Sequence, residues 1–206
     1  MERKAMKQRA KNLMRENHGM YIVMALVPLL ILGAAGGATL GLAAIFLAPV
    51  LVGQALFFIR SNETEASKTL QIELLFDGFK ENRYLKNVAY LLLRDIFIFL
   101  WILLLIIPGI IKSLAYALVP YLLADKTVDL LDEDPITKSR KMMDGYKWEL
   151  FVLHLSFIGW FILGALTLGI LTILYVLPYY QQTMAIFYQK VKDNYDPKVK
   201  EGFPQY

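Results

Sequence analysis

The chain has 206 residues, of which 57% are hydrophobic, and 22 Lys and Arg against 18 Asp and Glu give it a formal net charge of +4. Soluble domains contain roughly 45–50% apolar residues, and residues 20–59 carry no charged side chain, so the composition excludes an ordinary soluble domain. The chain has no Cys, which excludes disulfides, thiolate metal sites and thiol chemistry. Because about 20 apolar residues cross the hydrocarbon core of a bilayer, residues 20–59 are long enough for two crossings.

The basic residues lie in four segments that separate three apolar stretches. Of the 22 Lys and Arg, 20 fall in these segments and only Arg94 and Lys112 fall outside them. Lys and Arg collect on the cytoplasmic side of membrane proteins, so each apolar stretch is expected to leave the cytoplasm and return to it. The pattern predicts an all-α, polytopic membrane helix bundle with six transmembrane helices in three hairpins, amphipathic helices on the cytoplasmic face and both termini in the cytoplasm. The four segments are Met1–His18, Arg60–Lys86, Asp125–Trp148 and Lys190–Tyr206.

Small residues and prolines divide the predicted single membrane domain, residues 1–206, into its parts. Turns are expected at Gly33–Gly41, at Pro108-Gly109 and at Thr167–Gly169, where Gly and Pro interrupt apolar runs. The predicted parts are a basic amphipathic N-terminal helix (1–19), hairpin one (20–59), a cytoplasmic interfacial segment (60–86), hairpin two (84–124), a cytoplasmic loop with a short helix (125–147), hairpin three (148–188) and a polar tail (189–206).

The N-terminal segment has the periodicity of an amphipathic helix. Apolar residues recur at the i, i+4, i+7 and i+8 positions of one face, and basic residues line another. Two interpretations stay open: a helix lying on the inner leaflet, or a solvated arm that only sets orientation. The apolar face is Met6, Ala10, Leu13 and Met14, and the candidate contacts to anionic lipid headgroups are Lys4, Lys7, Lys11 and Arg15.

The cytoplasmic loop is expected to contain a short helix. Asp134-Pro135 is a helix-start signal, an N-cap residue followed by Pro at the first helical position. Gly145 is a natural stop. Ile136, Met142 and Met143 can form an apolar stripe, and Lys138, Arg140 and Lys141 are further candidate headgroup contacts.

Polar residues inside the predicted spans are the strongest candidates for a functional site, because such residues are costly in lipid. Counted from the predicted outer turns, five of them lie 12–14 residues away, or roughly 20 Å. They define a candidate polar layer in the cytoplasmic half of the bundle, which could bind a polar group or relay protons. The alternative is that Arg94 reaches the inner headgroups and the others bond across helices for stability. The layer is Gln54, Arg94, Asp95, His154 and Gln181.

Two details of the predicted layer can be tested by a structure. Arg94 and Asp95 are adjacent, so on a helix they point about 100° apart and are not expected to pair with each other. Lys112 comes only three residues after Gly109, and it is expected to reach the outer surface rather than the layer.

The sequence contains no recognisable catalytic motif. The two His lie on different predicted elements, and there is no phosphate-binding glycine loop, zinc-protease helix or nucleophile elbow. We therefore expect no enzyme activity, no cofactor and no metal site. Nucleic acid is not an expected partner either, because anionic headgroups explain basic residues beside membrane spans more simply.

Several stretches in the second half of the chain form a recognisable pattern. They are Pro108–Tyr116, Val119–Tyr121, Ser139-Arg140, Met143, Gly145, Lys147–Phe151, Leu155–Trp160, Leu168-Gly169 and Pro178–Gln181. Together they resemble a family of uncharacterised bacterial integral membrane proteins, known as domain of unknown function nine hundred and seventy-five. The resemblance implies a multi-pass protein of the bacterial plasma membrane. It implies no activity, since the family has none established.

Two functions fit these features. The first is a non-enzymatic membrane component that binds lipids of the anionic inner leaflet or partner proteins, and self-association into a homo-oligomer is compatible with it. The second is a small transporter or transport accessory that uses the polar layer. Similar Gly-to-Pro spacings after each turn (Gly41 to Pro49, Gly109 to Pro120 and Gly169 to Pro178) are compatible with a parallel internal repeat or with chance. A water-accessible cavity at Arg94 and His154 would favour transport, and an exposed amphipathic face at Ile136–Met143 would favour lipid or partner binding.

Overall fold

A computed structural model of the chain describes residues 2–38, 42–62, 72–128 and 133–195, and every regular element in these ranges is helical. This confirms the predicted all-α class. The predicted polar tail beyond Tyr195 lies outside the described residues. The α-helices are α1 Glu2–Glu16, α2 His18–Ala38, α3 Leu42–Leu47, α4 Val50–Arg60, α5 Glu81–Leu104, α6 Ile106–Ala115, α7 Val119–Ala124, α8 Pro135–Met142, α9 Lys147–Leu166 and α10 Leu177–Tyr195; a 3₁₀ helix covers Ile72–Phe79 and a π-helical turn covers Thr172–Val176.

Two described segments are long and apolar enough to cross a membrane. They are Ile107–Ala124, with 18 residues, and Lys147–Leu166, with 20 residues. A third would be the pair Arg3–Arg15 and His18–Ala34 if its two parts, which are bent by 105° to each other, act as one span. The predicted six transmembrane helices are therefore not supported; two to three candidates are found.

Proline explains two of the places where a predicted span is broken. The second predicted span contains Pro49, which separates α3 from α4. The sixth contains Pro178, and a π-helical turn directly precedes α10 there. Proline cannot donate a hydrogen bond to the preceding turn of a helix, so the chain widens or breaks next to it.

The turn of the second hairpin lies three residues before its predicted position at Pro108-Gly109. Leu105 has an extended backbone (φ −158°, ψ 130°) and separates α5 from α6. Pro108 instead occupies the first turn of α6, where no amide hydrogen is required. Gly109 then lies against α5, where an added Cβ would be only 2.5 Å from Ile102 Cγ1. The proline thus starts a helix rather than ending one.

The first half of the third hairpin, helix α9 with the turn after it, follows the prediction closely. Helix α9 begins one residue before the predicted span and ends, as predicted, at Leu166. The turn at Thr167–Gly169 is confirmed, with positive φ values of 53° at Leu168 and 85° at Gly169. The first hairpin is tested less fully: α2 continues through Gly33 to Ala38, and residues 39–41 of the predicted break are outside the described ranges.

The apolar face predicted for α1 packs on the protein's own bundle. Met6, Ala10 and Met14 are buried, and α1 contacts α10. The predicted amphipathic helix is therefore confirmed, but its apolar face lies against protein rather than on the surface of the inner leaflet.

Helix α8 begins as the sequence predicts and ends at Met142, three residues before the predicted stop at Gly145. Asp134 Oδ1 accepts hydrogen bonds from the amides of Ile136 (3.0 Å) and Thr137 (2.9 Å), which makes it the N-cap. Gly145 follows the helix with φ +82°. The Ser139 hydroxyl donates to the carbonyl of Ala115 at 2.8 Å, so α8 is tied to the end of α6.

Large apolar side chains cover much of the outer surface of α5, α6 and α9. Leu103 is 72% exposed, Ile107 72% and Leu166 77%. Soluble monomers rarely expose contiguous apolar surface of this kind. The exposed faces therefore agree with helices that contact lipid.

Candidate functional site: the groove between helices α5, α6 and α8

The five residues of the predicted polar layer bond to different partners. Gln54 is buried and its Nε2 donates to the Met24 carbonyl at 3.0 Å. His154 Nε2 lies 3.0 Å from the Tyr180 hydroxyl. Gln181 is half-buried. In the described part of the chain no hydrogen bond joins Gln54, His154 and the Arg94–Asp95 pair, so the bonds are those expected of cross-helix structural contacts.

Arg94 and Asp95 do pair, and the expectation that they would not is wrong. Arg94 Nε and Nη2 lie 2.8 and 2.7 Å from Asp95 Oδ1. The long arginine side chain bridges the angle between adjacent positions, which an argument from Cβ directions alone does not include. The Asp95 side chain is 59% exposed and that of Arg94 is 16% exposed, so the pair lies at the surface of α5.

A buried polar cluster forms around Gln182, the neighbour of the predicted Gln181. Ser61 Oγ donates to Gln182 Oε1 at 2.8 Å, and Arg9 Nη2 donates to the Asn62 carbonyl at 3.3 Å. Gln182 is fully buried. The cluster joins α1, the end of α4 and α10. Gln181 and Gln182 lie at nearly equal depth in the sequence, so only tertiary packing distinguishes them.

A second polar cluster is centred on Asp125, directly after α7. Its Oδ2 accepts from the Tyr188 hydroxyl (2.8 Å) and from Lys192 Nζ (2.6 Å), and its Oδ1 accepts from the amide (3.0 Å) and hydroxyl (2.7 Å) of Thr127. Burial acts to raise the pKa of Asp125, but the hydrogen bonds from Lys192, Thr127 and Tyr188 outweigh it and hold the pKa below its usual value.

Asp77, in the 3₁₀ helix, is the centre of a similar ionic contact. It pairs with Lys80 and, at 2.9 Å, with Lys126. Burial acts to raise its pKa, and the bonds to the two lysines lower it further than burial raises it. Both aspartates already have partners for their oxygens. These clusters therefore fasten the helices together and leave little capacity for a ligand.

In the part of the chain that the structure describes, a groove with a cavity of about 470 Å³ lies between α5, α6 and α8. One wall follows a single face of α5, and its residues span about 16 Å at the rise of an α-helix. The lining is Tyr90, Leu93, Phe97 and Trp101 from α5, Lys112 and the adjoining Tyr116 from α6, and Asp134, Ile136, Thr137 and Arg140 from α8 and its N-cap.

The groove combines an aromatic wall with two cations. Lys112 Nζ lies 4.8 Å from the centre of the Trp101 ring, within the range of a cation–π contact. Arg140 is exposed. Asp134 is the acidic group of the lining, and it is occupied by the two backbone amides that it caps. Two cations against one carboxylate leave the lining net positive.

Lys112 and Arg140 line the same groove, although the sequence predicted that they lie at opposite faces of the membrane. Lys112 was expected at the outer face and Arg140 at the cytoplasmic face. The short α6 explains the difference, because its ten residues return only about 15 Å along α5 before the helix ends. The chain does not place the two side chains a full bilayer apart.

The other predicted headgroup contacts have varied surroundings. Lys7 and Lys11 face aromatic rings of α9 and α10, and Lys141 forms an ion pair with Glu133 at 2.5 Å. Lys4 and Arg15 are exposed, and Lys138 is half-buried. Within the described ranges, His, Asp and Glu form no group of three that could hold a metal ion.

Comparison with known proteins identifies a family for the second half of the chain. Residues 102–195 match the family model described as "Protein of unknown function (DUF975)". This range contains α6 to α10, and with them six of the residues that line the groove. No curated protein and no solved structure matches the chain.

Proposed function

Because residues 102–195 belong to a family with no assigned activity, we propose from the groove's own chemistry that this protein is a non-enzymatic membrane component that binds anionic lipid. The proposal rests on one observation. Lys112 and Arg140 line the same cavity of about 470 Å³ as a wall of aromatic and aliphatic side chains. An anionic lipid has the matching halves, a phosphate for the cations and hydrocarbon for the wall.

The surroundings of the groove suit a lipid better than a soluble anion. The lining residues Leu93 and Trp101 are themselves partly exposed, and Ile96 and Leu100 beside them on α5 expose apolar surface. An acyl chain that leaves the groove would therefore continue along an apolar helix face. A small soluble anion would leave this surface uncovered.

The transporter alternative has weaker support. Neither Arg94 nor His154 lines the groove, and both are engaged, Arg94 with Asp95 and His154 with Tyr180. The exposed amphipathic face at Ile136–Met143, which would have favoured lipid or partner binding, is not found, since Ile136, Met142 and Met143 are buried. Ile136 instead contributes to the wall of the groove, so the segment takes part in the proposed site from its inner side.

Removal of the two groove cations should weaken lipid binding. We expect the variant K112Q/R140Q to retain phosphatidylglycerol at least about tenfold less tightly, because each charge-assisted contact to phosphate contributes about 1.5–3 kcal/mol. The measurement is native mass spectrometry of detergent-purified protein titrated with phosphatidylglycerol and, in parallel, with phosphatidylcholine.

The matched control for this experiment is R83Q/K86Q. It removes the same two charges from the first turns of α5, outside the groove lining. Phosphatidylglycerol binding should remain at the wild-type level in this control. The proposal fails if K112Q/R140Q binds like the wild type, if the control loses as much affinity, or if phosphatidylcholine binds as tightly as phosphatidylglycerol.

We also propose that the protein lies in the bacterial plasma membrane with both termini in the cytoplasm. The distribution of Lys and Arg supports this orientation, and the apolar segments Ile107–Ala124 and Lys147–Leu166 supply candidate crossings. Reporters fused before Met1 and after Tyr206 should both give a cytoplasmic signal. An external signal from either fusion would contradict the orientation.

A further inference from the structure

Basic residues on α1 face a row of aromatic rings from the C-terminal part of the chain. These rings belong to α9, the π-helical turn and α10. Lys7 Nζ lies 4.0 Å from the centre of the Phe157 ring and donates to the Ser156 carbonyl at 3.1 Å. One turn later, Lys11 Nζ lies 5.6 Å from the Tyr179 ring and 5.8 Å from the Trp160 ring. Cation–π contacts of this kind fix α1 on the bundle.

The row ends in a cavity of about 290 Å³ at the bend between α1 and α2. The His18 ring centre is 6.1 Å from that of Tyr175. The cavity shares no lining residue with the groove between α5, α6 and α8. Its lining is Lys11, Met14, Arg15, His18 and Tyr175.

Among the described residues, the charges around this cavity have no counterion. Of the described residues that line it, none is acidic, while Lys11 and Arg15 are cations. In the described ranges, neither Lys11 nor Arg15 forms an ion pair. Lys11 lies near the outer limit of the cation–π distance, so its ammonium group has donors to spare. Like charges that converge on one cavity repel unless an anion joins them.

We propose that this cavity is a second binding site, which takes a phosphate-bearing anion. Arg15 offers the planar, two-pronged donor set that suits phosphate oxygens, and Lys11 adds a point charge. Met14 and Tyr175 give the cavity an apolar side for the carbon portion of the ligand. A lipid headgroup and a soluble phosphate monoester share this chemistry.

The test uses the full-length protein in a neutral detergent and two probes. Glycerol 3-phosphate binding is measured by microscale thermophoresis, and retention of dioleoyl phosphatidic acid by native mass spectrometry. We expect Arg15→Gln to weaken binding of at least one probe about tenfold, in line with loss of a charge-assisted contact. Arg15 is exposed, so its replacement leaves the packing of α1 unchanged. Lys11→Gln should act in the same direction.

The matched control on the same helix is Arg3→Gln, which is exposed and lies outside the cavity. If R15Q and K11Q lose only glycerol 3-phosphate binding, the ligand is a soluble phosphate monoester. If they lose only phosphatidic acid retention, the ligand is a lipid headgroup. Either result supports the site. The site is refuted if R15Q binds both probes like the wild type, if neither probe binds the wild type, or if R3Q loses as much affinity as R15Q and K11Q.

Discussion

Replacement of Gly53 by alanine should destabilise the fold by about 3 kcal/mol, at the upper end of the cost of overpacking a core. An added Cβ at Gly53 would lie 2.1 Å from the Leu75 carbonyl oxygen and 2.5 Å from that of Leu74. Both obstacles are backbone atoms of the 3₁₀ helix, so no side-chain rotation can relieve the clash. The two helices would have to separate.

The same interface has a second close approach, at a glycine of the 3₁₀ helix, so it can be tested from both sides. An added Cβ at Gly78, in the 3₁₀ helix, would lie 2.1 Å from the Pro49 carbonyl oxygen next to α4. Gly78→Ala should therefore destabilise the protein to a similar degree. The contact also holds Leu75 and Val52 in the buried core, so separation of the helices would lose apolar burial as well.

Thermal unfolding of the detergent-purified protein, followed by intrinsic fluorescence, measures both effects. At roughly 2–4 °C per kcal/mol for a chain of this size, G53A should lower the midpoint by about 6–12 °C. The control is Gly159→Ala in α9, where nothing lies within 4 Å of the added Cβ. That change should be neutral or slightly stabilising, since alanine favours helix more than glycine does. A G53A midpoint equal to that of G159A would contradict the close approach.

Local signals in the sequence predicted local structure well. The start of α8 depends on the Asp134 side chain, which accepts hydrogen bonds from nearby backbone amides. The turn at Thr167–Gly169 depends on two residues whose backbone adopts a positive φ. The apolar face of α1 follows from helical period alone. What covers that face depends on the rest of the chain, so the period could not show that α10 covers it.

The residues of the predicted polar layer have separate hydrogen-bond partners, and the helix geometry supplies a physical reason. The predicted depth assumes a rise of 1.5 Å per residue from each outer turn, which holds only for an unbroken helix in the expected register. The second hairpin turns at Leu105 instead of Pro108-Gly109, and the sixth predicted span contains a π-helical turn at Thr172–Val176. Either change rotates or shifts the residues beyond it. The count could not decide between Gln181 and Gln182 for the same reason.

The groove between α5, α6 and α8 could not be predicted because its two cations come from distant parts of the sequence. Lys112 appeared as an isolated charge, and Arg140 as one of several basic loop residues. Their juxtaposition depends on the short α6 and on the bond from Ser139 to the Ala115 carbonyl, which brings α8 against α6. Both features are tertiary, and neither leaves a periodic signal.

Asp125→Asn should destabilise the protein by about 2–3 kcal/mol. The carboxylate is 5% exposed and joins α10 to the end of α7 through Lys192 Nζ at 2.6 Å and the Tyr188 hydroxyl at 2.8 Å. Removal of one partner from a buried ion pair costs about 3–5 kcal/mol, and the cost is smaller here because the Lys192 side chain is 34% exposed. The midpoint of thermal unfolding should fall by about 4–12 °C.

A double-mutant cycle separates the ion pair from other effects of the substitution. If the Asp125–Lys192 contact causes the loss, D125N and K192Q together should cost less than the sum of the single changes. The control is Asp193→Asn, an exposed position on α10, which should change the midpoint by less than about 2 °C. Additive losses in the cycle would show that the two residues are not coupled.

The pH dependence of this effect has a definite sign. Because the pKa of Asp125 is lower in the folded protein than in the unfolded chain, its stabilisation is complete above the unfolded pKa, near 3.9. It is lost as the pH falls through the lower, folded value and the carboxylate gains a proton. The midpoint difference between wild type and D125N should therefore be constant from about pH 8 to pH 5 and should shrink below about pH 4. Asp77, whose pKa is also lowered, is present in both proteins, so its acid sensitivity cancels in the difference.

A midpoint difference that grew on acidification would contradict this prediction. It would mean that Asp125 is protonated in the folded protein and both donates and accepts hydrogen bonds among Tyr188, Thr127 and Lys192. The ionic role assigned to Asp125 would then be wrong.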